Sequence, residues 1–484
     1  MVELSMTNDN YPELKLLIGN EWLSRSSGEV VINPANEEVI GTVPHATSAD
    51  LDAAIAAAQQ GFQVWKRTAP IKRAQIMQRA VDLIRARSET IAVAMTLEQG
   101  KPLAQSRLEV QRACEIIEWD ATEGRRIYGR VIPSEPGMRQ TVLREPVGVV
   151  AAFSPWNFPL SSPSRKVAGA LAAGCAIILK ASEETPACAV MLAQAFVDAG
   201  LPPGVLNLVF GKPAEISEHL ISQPSVRLMT FTGSVAVGKR LAALAGTHMK
   251  PAIMELGGHA PVIVCDDADP TTAALACVVS KSRNSGQVCV APTRFLVHDS
   301  IYDRFAQVFA ERAAAVKLGS GLDPSIEMGP LANRRRLEAI HSLVTDAVDK
   351  GARCLSGGDR VGDRGFFYPL TTVAEIPDGA RAMTEEPFGP LALLVRVGDI
   401  DEAVERANAL PFGLSAYAFT ASARNADRLA EGIECGNLAI NHFTASTAET
   451  PFGGVKDSGY GREGGTEGLQ CYTIAKLISH KIVA

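Results

Sequence analysis

Apolar and polar positions alternate along this chain in two rhythms, and the rhythms change place repeatedly. Residues 49–65 (ADLDAAIAAAQQGFQVW) carry apolar side chains at helical spacing, so a helix is predicted there, with Ser48 or Asp50 near its N-cap. Two further helices are predicted over 71–87 and 102–123. Short apolar runs bounded by Gly and Pro follow at 147–155, 176–182, 205–210, 226–233 and 260–266. Helical stretches fall between them, notably 165–173 and 185–199. Near-continuous apolar strands alternating with helices indicate a parallel sheet covered on both faces. A second set of such units occupies about 275–440, with strands expected at 293–298, 390–397, 415–420 and 436–441. A last strand is expected at 474–483. The fold class is therefore α/β, with two Rossmann-like parallel-sheet domains and a small extra β element.

Composition narrows the function. The chain has 484 residues, 46% of them hydrophobic and 21% charged, enough for several buried cores. A net charge of −6 without a Lys/Arg block argues against a nucleic-acid partner. The longest apolar run, Val167 to Leu179, is too short to span a bilayer, which needs ~20 residues. The first residues, MVELSMTNDNYPELK, do not read as a signal peptide, so a cytoplasmic location is expected. Nine scattered cysteines form no CxxC pair, which argues against a disulfide framework and a metal site.

Two motif matches are declined. Gly459, Gly461 and Gly464 spell GxGxxG, but too little chain follows for a dinucleotide βαβ unit, and a Gly-rich surface turn is expected instead. Residues 233–239 (GSVAVGK) approach a phosphate loop, but Arg240 stands where Ser or Thr would hold magnesium. The segment still runs from a strand through Gly233 and Ser234 into a helix, whose free N–H groups suit a pyrophosphate.

Three segments carry residue types suited to acyl chemistry. Cys289 lies in SGQVCVAP, flanked by small and polar residues that suit an exposed thiol. Glu255 in MELGG is a carboxylate at the end of an apolar strand, where burial raises its pKa toward that of a general base. Asn157 in SPWNFP is framed by Pro155 and Pro159, so its carboxamide is held in place and can donate to an oxyanion. Taken singly, a buried structural thiol, a locally paired glutamate and a tight turn remain open readings of the three.

Together, in this order, PWNFP, KASEETP, FTGS, MELGG, GQVCVAPTR, EEPFGP and PFGGVKDSG resemble the signature segments of the aldehyde dehydrogenase superfamily, from about residue 14 to the end. The resemblance implies Cys289 as nucleophile, Glu255 as base for thioester hydrolysis, Asn157 as oxyanion donor and Lys166, with Glu463, in proton relay. It implies NAD as cofactor, NADP being an open alternative, held by Pro155, Trp156, Lys180, Ser182, Glu183, Gly233, Ser234, Glu386 and Phe388. The Glu183 charge would repel a 2′-phosphate and so favours NAD. CoA-acylating relatives lack the glutamate that stands here as Glu255, so water is the expected acyl acceptor.

More narrowly, residues 116–130, GQVCVAPTRFLVH and PFGGVKDSGYG resemble succinate-semialdehyde and 2-oxoglutarate-semialdehyde dehydrogenases. Arg165, Arg283 and Ser446 are then expected to bind the substrate carboxylate. Ala291 replaces the second cysteine of many succinate-semialdehyde enzymes, so no disulfide switch is expected there. The implied domains are 1–126 with 147–256 for the cofactor, 257–446 for catalysis, and 127–146 with 447–484 as an arm that makes a homodimer or homotetramer. An aldehyde dehydrogenase of other substrate range and a non-catalytic protein of the same fold are the alternative readings.

Overall fold

A computed structural model describes residues 11–482. The leader-free reading of the N-terminus falls mostly on residues outside that range.

Five central parallel strands organise the first half. From one edge to the other they are Leu206–Val209, Ala176–Lys180, Val149–Phe153, Val226–Gly233 and Ala252–Leu256. Leu16–Ile18 and Glu21–Leu23 extend one edge antiparallel, and Gly459–Tyr460 closes the other. Strand side chains alternate between two cores, as a two-residue period requires. Val150, Ala152, Ile177, Leu179, Leu206 and Leu208 pack under helices Leu103–Glu123, Ser161–Ala173 and Ala187–Asp198. Val149, Ala151, Phe153, Ala176, Ile178 and Val209 face helices Ser48–Trp65, Pro213–Ser222 and Val235–Thr247.

The second half repeats the plan with a seven-stranded sheet. Its order is Arg353–Ser356, Thr371–Ala374, Leu391–Val397, Pro292–His298, Ala260–Val264, Ser415–Phe419 and Asn437–Ile440, parallel except for the first strand. A third, antiparallel sheet joins Arg130–Ile132, Met138–Pro146 and Thr473–Lys481.

Three local expectations change. The first helix is capped by Thr47, whose hydroxyl accepts from the Asp50 N–H at 3.2 Å while the Asp50 carboxylate accepts from the Thr47 N–H at 2.9 Å. Asp50 is thus the third residue of a capping box rather than the cap. An additional helix, Ser88–Gln99, was not expected. It is buried on all sides from Ile91 to Gln99, so it has no polar stripe to reveal a helical period. Lastly, the GxGxxG segment is not a surface turn. Gly459 is buried and pairs with Glu255, and a Cβ there would sit 2.0 Å from the Met254 carbonyl oxygen.

Candidate active site

In the first sheet the chain leaves Val149–Phe153 toward Ala176–Lys180 and later returns on its other side as Val226–Gly233. Such a reversal opens a crevice at the carboxyl ends of the strands. Pro155, Trp156 and Asn157 follow one of these ends, Gly233 and Ser234 another, and Lys180 and Glu255 stand at or beside two more. Ser234 caps helix Val235–Thr247, accepting from the Val237 N–H at 3.5 Å.

Cys289 is delivered from the second half by a strained turn. Asn284, Ser285 and Gly286 have φ of 49°, 54° and 70°, a left-handed run that is costly for the first two. Side-chain bonds hold it. Asn284 Nδ2 donates to the Asn157 carbonyl at 3.0 Å and to the Gln287 carbonyl at 3.2 Å. Ser285 Oγ donates to the Gly329 carbonyl at 2.7 Å, and Gln287 Oε1 accepts from the Ala332 N–H at 2.9 Å. Gly286 cannot be replaced freely, since a Cβ would meet the Gly389 carbonyl oxygen at 2.2 Å.

The same turn orients Asn157, whose Nδ2 donates to the Gln287 carbonyl at 3.1 Å. Lys101 Nζ donates to the Asn157 carbonyl at 2.8 Å and to Glu109 Oε2 at 2.6 Å, with both charges buried. Glu109 Oε1 accepts from the N–H groups of Leu160 and Ser161, at 3.0 and 3.1 Å, at the start of helix Ser161–Ala173. A backbone loop is thereby fixed from both sides before any ligand arrives.

One cavity is lined by Asn157, Arg165, Glu255, Arg283, Cys289, Ser446 and Glu463. Burial, and then the Glu463 charge, raises the Glu255 pKa to about 7. The half-buried Cys289 thiol faces Glu255, and burial followed by the Glu255 charge pushes its pKa well above the ordinary value. Cys289 therefore rests as a thiol, beside a carboxylate able to exchange a proton near neutral pH. Behind Glu255, the buried Lys166 ammonium donates to Glu463 at 2.6 Å and to the Thr230 and Thr232 hydroxyls at 3.2 and 2.7 Å.

The remaining expected positions lie along the crevice. Lys180 Nζ donates to Glu183 Oε2 at 2.5 Å, and Glu183 Oε1 accepts from the Gly211 N–H at 2.8 Å. Ser182 Oγ accepts from the Glu184 N–H at 3.3 Å. Glu386 Oε1 accepts from the Gly258 N–H at 3.2 Å, and burial raises its pKa to about 7. Phe388, at φ 44°, meets Trp156 edge to face at 5.6 Å between centroids. A Cβ on Gly257 would lie 2.1 Å from Glu386 Oε2, so any larger residue there must displace the Glu386 carboxylate. Sequence reasoning missed Arg112, which lines the same cavity as Arg165 and Arg283 and donates to the Ser446 carbonyl. It sits in an amphipathic helix, where a lone arginine carries no signal of its own.

A thiol, a buried carboxylate and a held carboxamide gathered beside the carboxyl ends of a parallel sheet fit an α/β oxidoreductase. The aldehyde dehydrogenase family model matches residues 22–478, and the chain belongs to that family. It is 45% identical to the 4-(hydroxymethyl)benzenesulfonate dehydrogenase of Comamonas testosteroni, over 96% of this chain and 98% of that protein. It is 39% identical to the NADP(+) succinate-semialdehyde dehydrogenase of Escherichia coli K12, over 98% and 99%. The crystal structure of succinate-semialdehyde dehydrogenase from Burkholderia pseudomallei superposes with a TM-score of 0.96 at 40% identity, covering 99% of this chain and 100% of that one. Among the described residues, no helix is long and apolar enough to cross a membrane.

Proposed function

We propose that this aldehyde dehydrogenase oxidises a small aldehyde bearing an anionic group at its far end to the corresponding acid, with succinate semialdehyde and 2-oxoglutarate semialdehyde as the first candidates. The observation that carries the proposal is the placement of Arg165 and Arg283 in the Cys289 cavity, neither of them in an ion pair among the described residues. Arg165 Nη2 donates to Ser446 Oγ at 3.2 Å, and its buried Nη1 has no acceptor. Its guanidinium lies 5.4 Å from the Phe452 centroid, and that of Arg283 lies 5.6 Å from Phe158. Cations left free beside a nucleophile suit an acidic substrate. The named relatives act on a semialdehyde acid and on a sulfonate, which supports an anionic far end.

In this reading Glu255 takes the Cys289 proton, and the sulfur electron pair forms a C–S bond to the carbonyl carbon. The carbonyl π pair moves to oxygen, where Asn157 Nδ2 and the Cys289 N–H donate. A bound nicotinamide supplies the hydride acceptor that turns this adduct into a thioester. Glu463 and Lys166 pass the Cys289 proton onward, which frees Glu255 to take a proton from water. The hydroxide adds to the thioester carbon, the C–S bond breaks to release the acid, and the Cys289 thiolate recovers its proton from Glu255.

The cofactor would lie with its pyrophosphate at Gly233 and Ser234, its nicotinamide half between Trp156, Pro155, Glu386 and Phe388, and its adenosine ribose at Lys180, Ser182 and Glu183. Each Glu183 oxygen keeps a lone pair for a ribose hydroxyl. Its charge disfavours a 2′-phosphate, so NAD is the proposed cofactor, and an arm built from the third sheet is proposed to make a homodimer or homotetramer.

The test is kcat/KM for succinate semialdehyde, 2-oxoglutarate semialdehyde and propanal, with NAD and with NADP. Arg283→Ala is expected to raise KM for the acids far more than for propanal. Equal effects would remove the anion-binding role, and absence of turnover with any aldehyde would return the protein to a non-catalytic reading.

A further inference from the structure

Three arginines converge on this cavity from three separate elements. Arg112 comes from helix Leu103–Glu123, Arg165 from helix Ser161–Ala173 and Arg283 from the turn before Cys289. Among the described residues none of the three makes an ion pair, whereas Arg107, on the same helix as Arg112, pairs with Glu89. Arg112 and Arg165 both close on Ser446. Arg112 donates to its carbonyl oxygen and lies 3.5 Å from its Oγ, and Arg165 donates to that Oγ at 3.2 Å. Arg112 is half-buried and is crowded by Arg165 and Arg283, and burial first, then these like charges, lower its pKa. Arg112 and Arg283 also line an adjoining polar cavity with Gln105 and Glu115, so they stand where the two spaces meet.

A carboxylate offers two oxygens in one plane. Those oxygens have about four lone-pair sites, and the forks of Arg165 and Arg283 with the Ser446 hydroxyl already suffice to fill them. A third guanidinium adds like-charge repulsion that its bond to the Ser446 carbonyl and the charges of Glu115 and Glu449 only partly offset, and a third ligand oxygen would meet it. We infer that Arg112 is a specificity-determining residue, and that this site is built for an end group with three terminal oxygens on a tetrahedral centre, a sulfonate in preference to a carboxylate. The inference rests on the proposed reading that the arginine side of the cavity binds the far end of an anionic aldehyde. Each guanidinium then takes one oxygen edge, and the Ser446 hydroxyl is left to bridge Arg165 and the ligand.

The test uses three aldehydes matched in chain length: 3-oxopropane-1-sulfonate, succinate semialdehyde and butanal. Steady-state constants are measured for the full-length enzyme and for Arg112→Ala, Arg112→Lys and Arg165→Ala. The wild type is expected to favour the sulfonate over the carboxylate in kcat/KM. Arg112→Ala is expected to lower kcat/KM for the sulfonate by on the order of 100-fold, chiefly through KM. It should cost the carboxylate less than about 5-fold and leave butanal unchanged, with Arg112→Lys recovering part of the loss. A wild-type preference for the carboxylate, or an equal loss on both acids, overturns the three-oxygen inference and leaves the anion reading standing. A parallel loss on butanal shows a merely structural arginine and also overturns it. If Arg165→Ala affects both acids no more than butanal, the anion reading itself fails.

Discussion

Glu109→Gln isolates the link between the helical layer and the catalytic loop. Lys101 is buried, and its ammonium has two acceptors, Glu109 Oε2 at 2.6 Å and the Asn157 carbonyl at 2.8 Å. Glutamine keeps an acceptor for the Leu160 and Ser161 N–H groups but removes the counter-charge. An ammonium left buried without its partner costs ~3–5 kcal/mol. Its alternative is to lose its proton. From the ordinary lysine value of 10.5, neutralisation at about pH 7.5 costs roughly 4 kcal/mol, at ~1.36 kcal/mol per unit. The two routes agree, so a loss of about 4 kcal/mol is expected. An unfolding entropy of ~2.1 cal/mol/K per residue makes that a Tm drop of roughly 4 °C for a chain of this length. The pH sign follows from linkage. In the variant the folded state binds fewer protons than the unfolded state, so stability relative to wild type rises with pH. The deficit should shrink to roughly 1–2 °C near pH 9.5. Thermal unfolding of both proteins at the two pH values checks this, with Lys101→Met/Glu109→Gln recovering most of the loss. A drop under about 1 °C at the lower pH, or a deficit that grows with pH, would refute the reasoning.

Three further outcomes are expected. Because burial and Glu463 raise Glu255 to about 7, its base form predominates only above that value. Turnover should therefore rise with pH through about 7 and flatten above it, and Glu255→Gln should remove both that limb and steady turnover. A wild-type profile in the variant would exclude Glu255 as base. Cys289→Ser should abolish oxidation, and Asn157→Ala should lower kcat by ~10²–10³ if its amide meets the oxyanion; an effect confined to KM would place it elsewhere. Gly257→Ala puts a Cβ 2.1 Å from Glu386 Oε2, so it should raise KM for NAD while leaving the folded spectrum intact, and an unchanged KM would separate Glu386 from the cofactor.

What the sequence discloses here depends on how local each feature is. The paired parallel sheets are legible because their strands are continuous apolar runs between Gly and Pro. Asn157, Glu255 and Cys289 stand out because each sits in a short segment whose neighbours share its constraint: flanking prolines, an apolar strand end, a turn at Gly286. Helix Ser88–Gln99 hides because burial on every side erases its period. Gly459 misleads because the partner that demands a glycine, the Met254 carbonyl, is 205 positions away in the chain. Arg112 is the strongest case. It lies 334 positions from Ser446, on an amphipathic helix, and is set apart only once Arg165 and Arg283 are folded beside it. The thiol, carboxylate and carboxamide are thus written in segments and the arginine end of the cavity in tertiary contacts. Substrate choice within this fold should accordingly follow residues such as Arg112 more closely than the motifs that mark the chemistry.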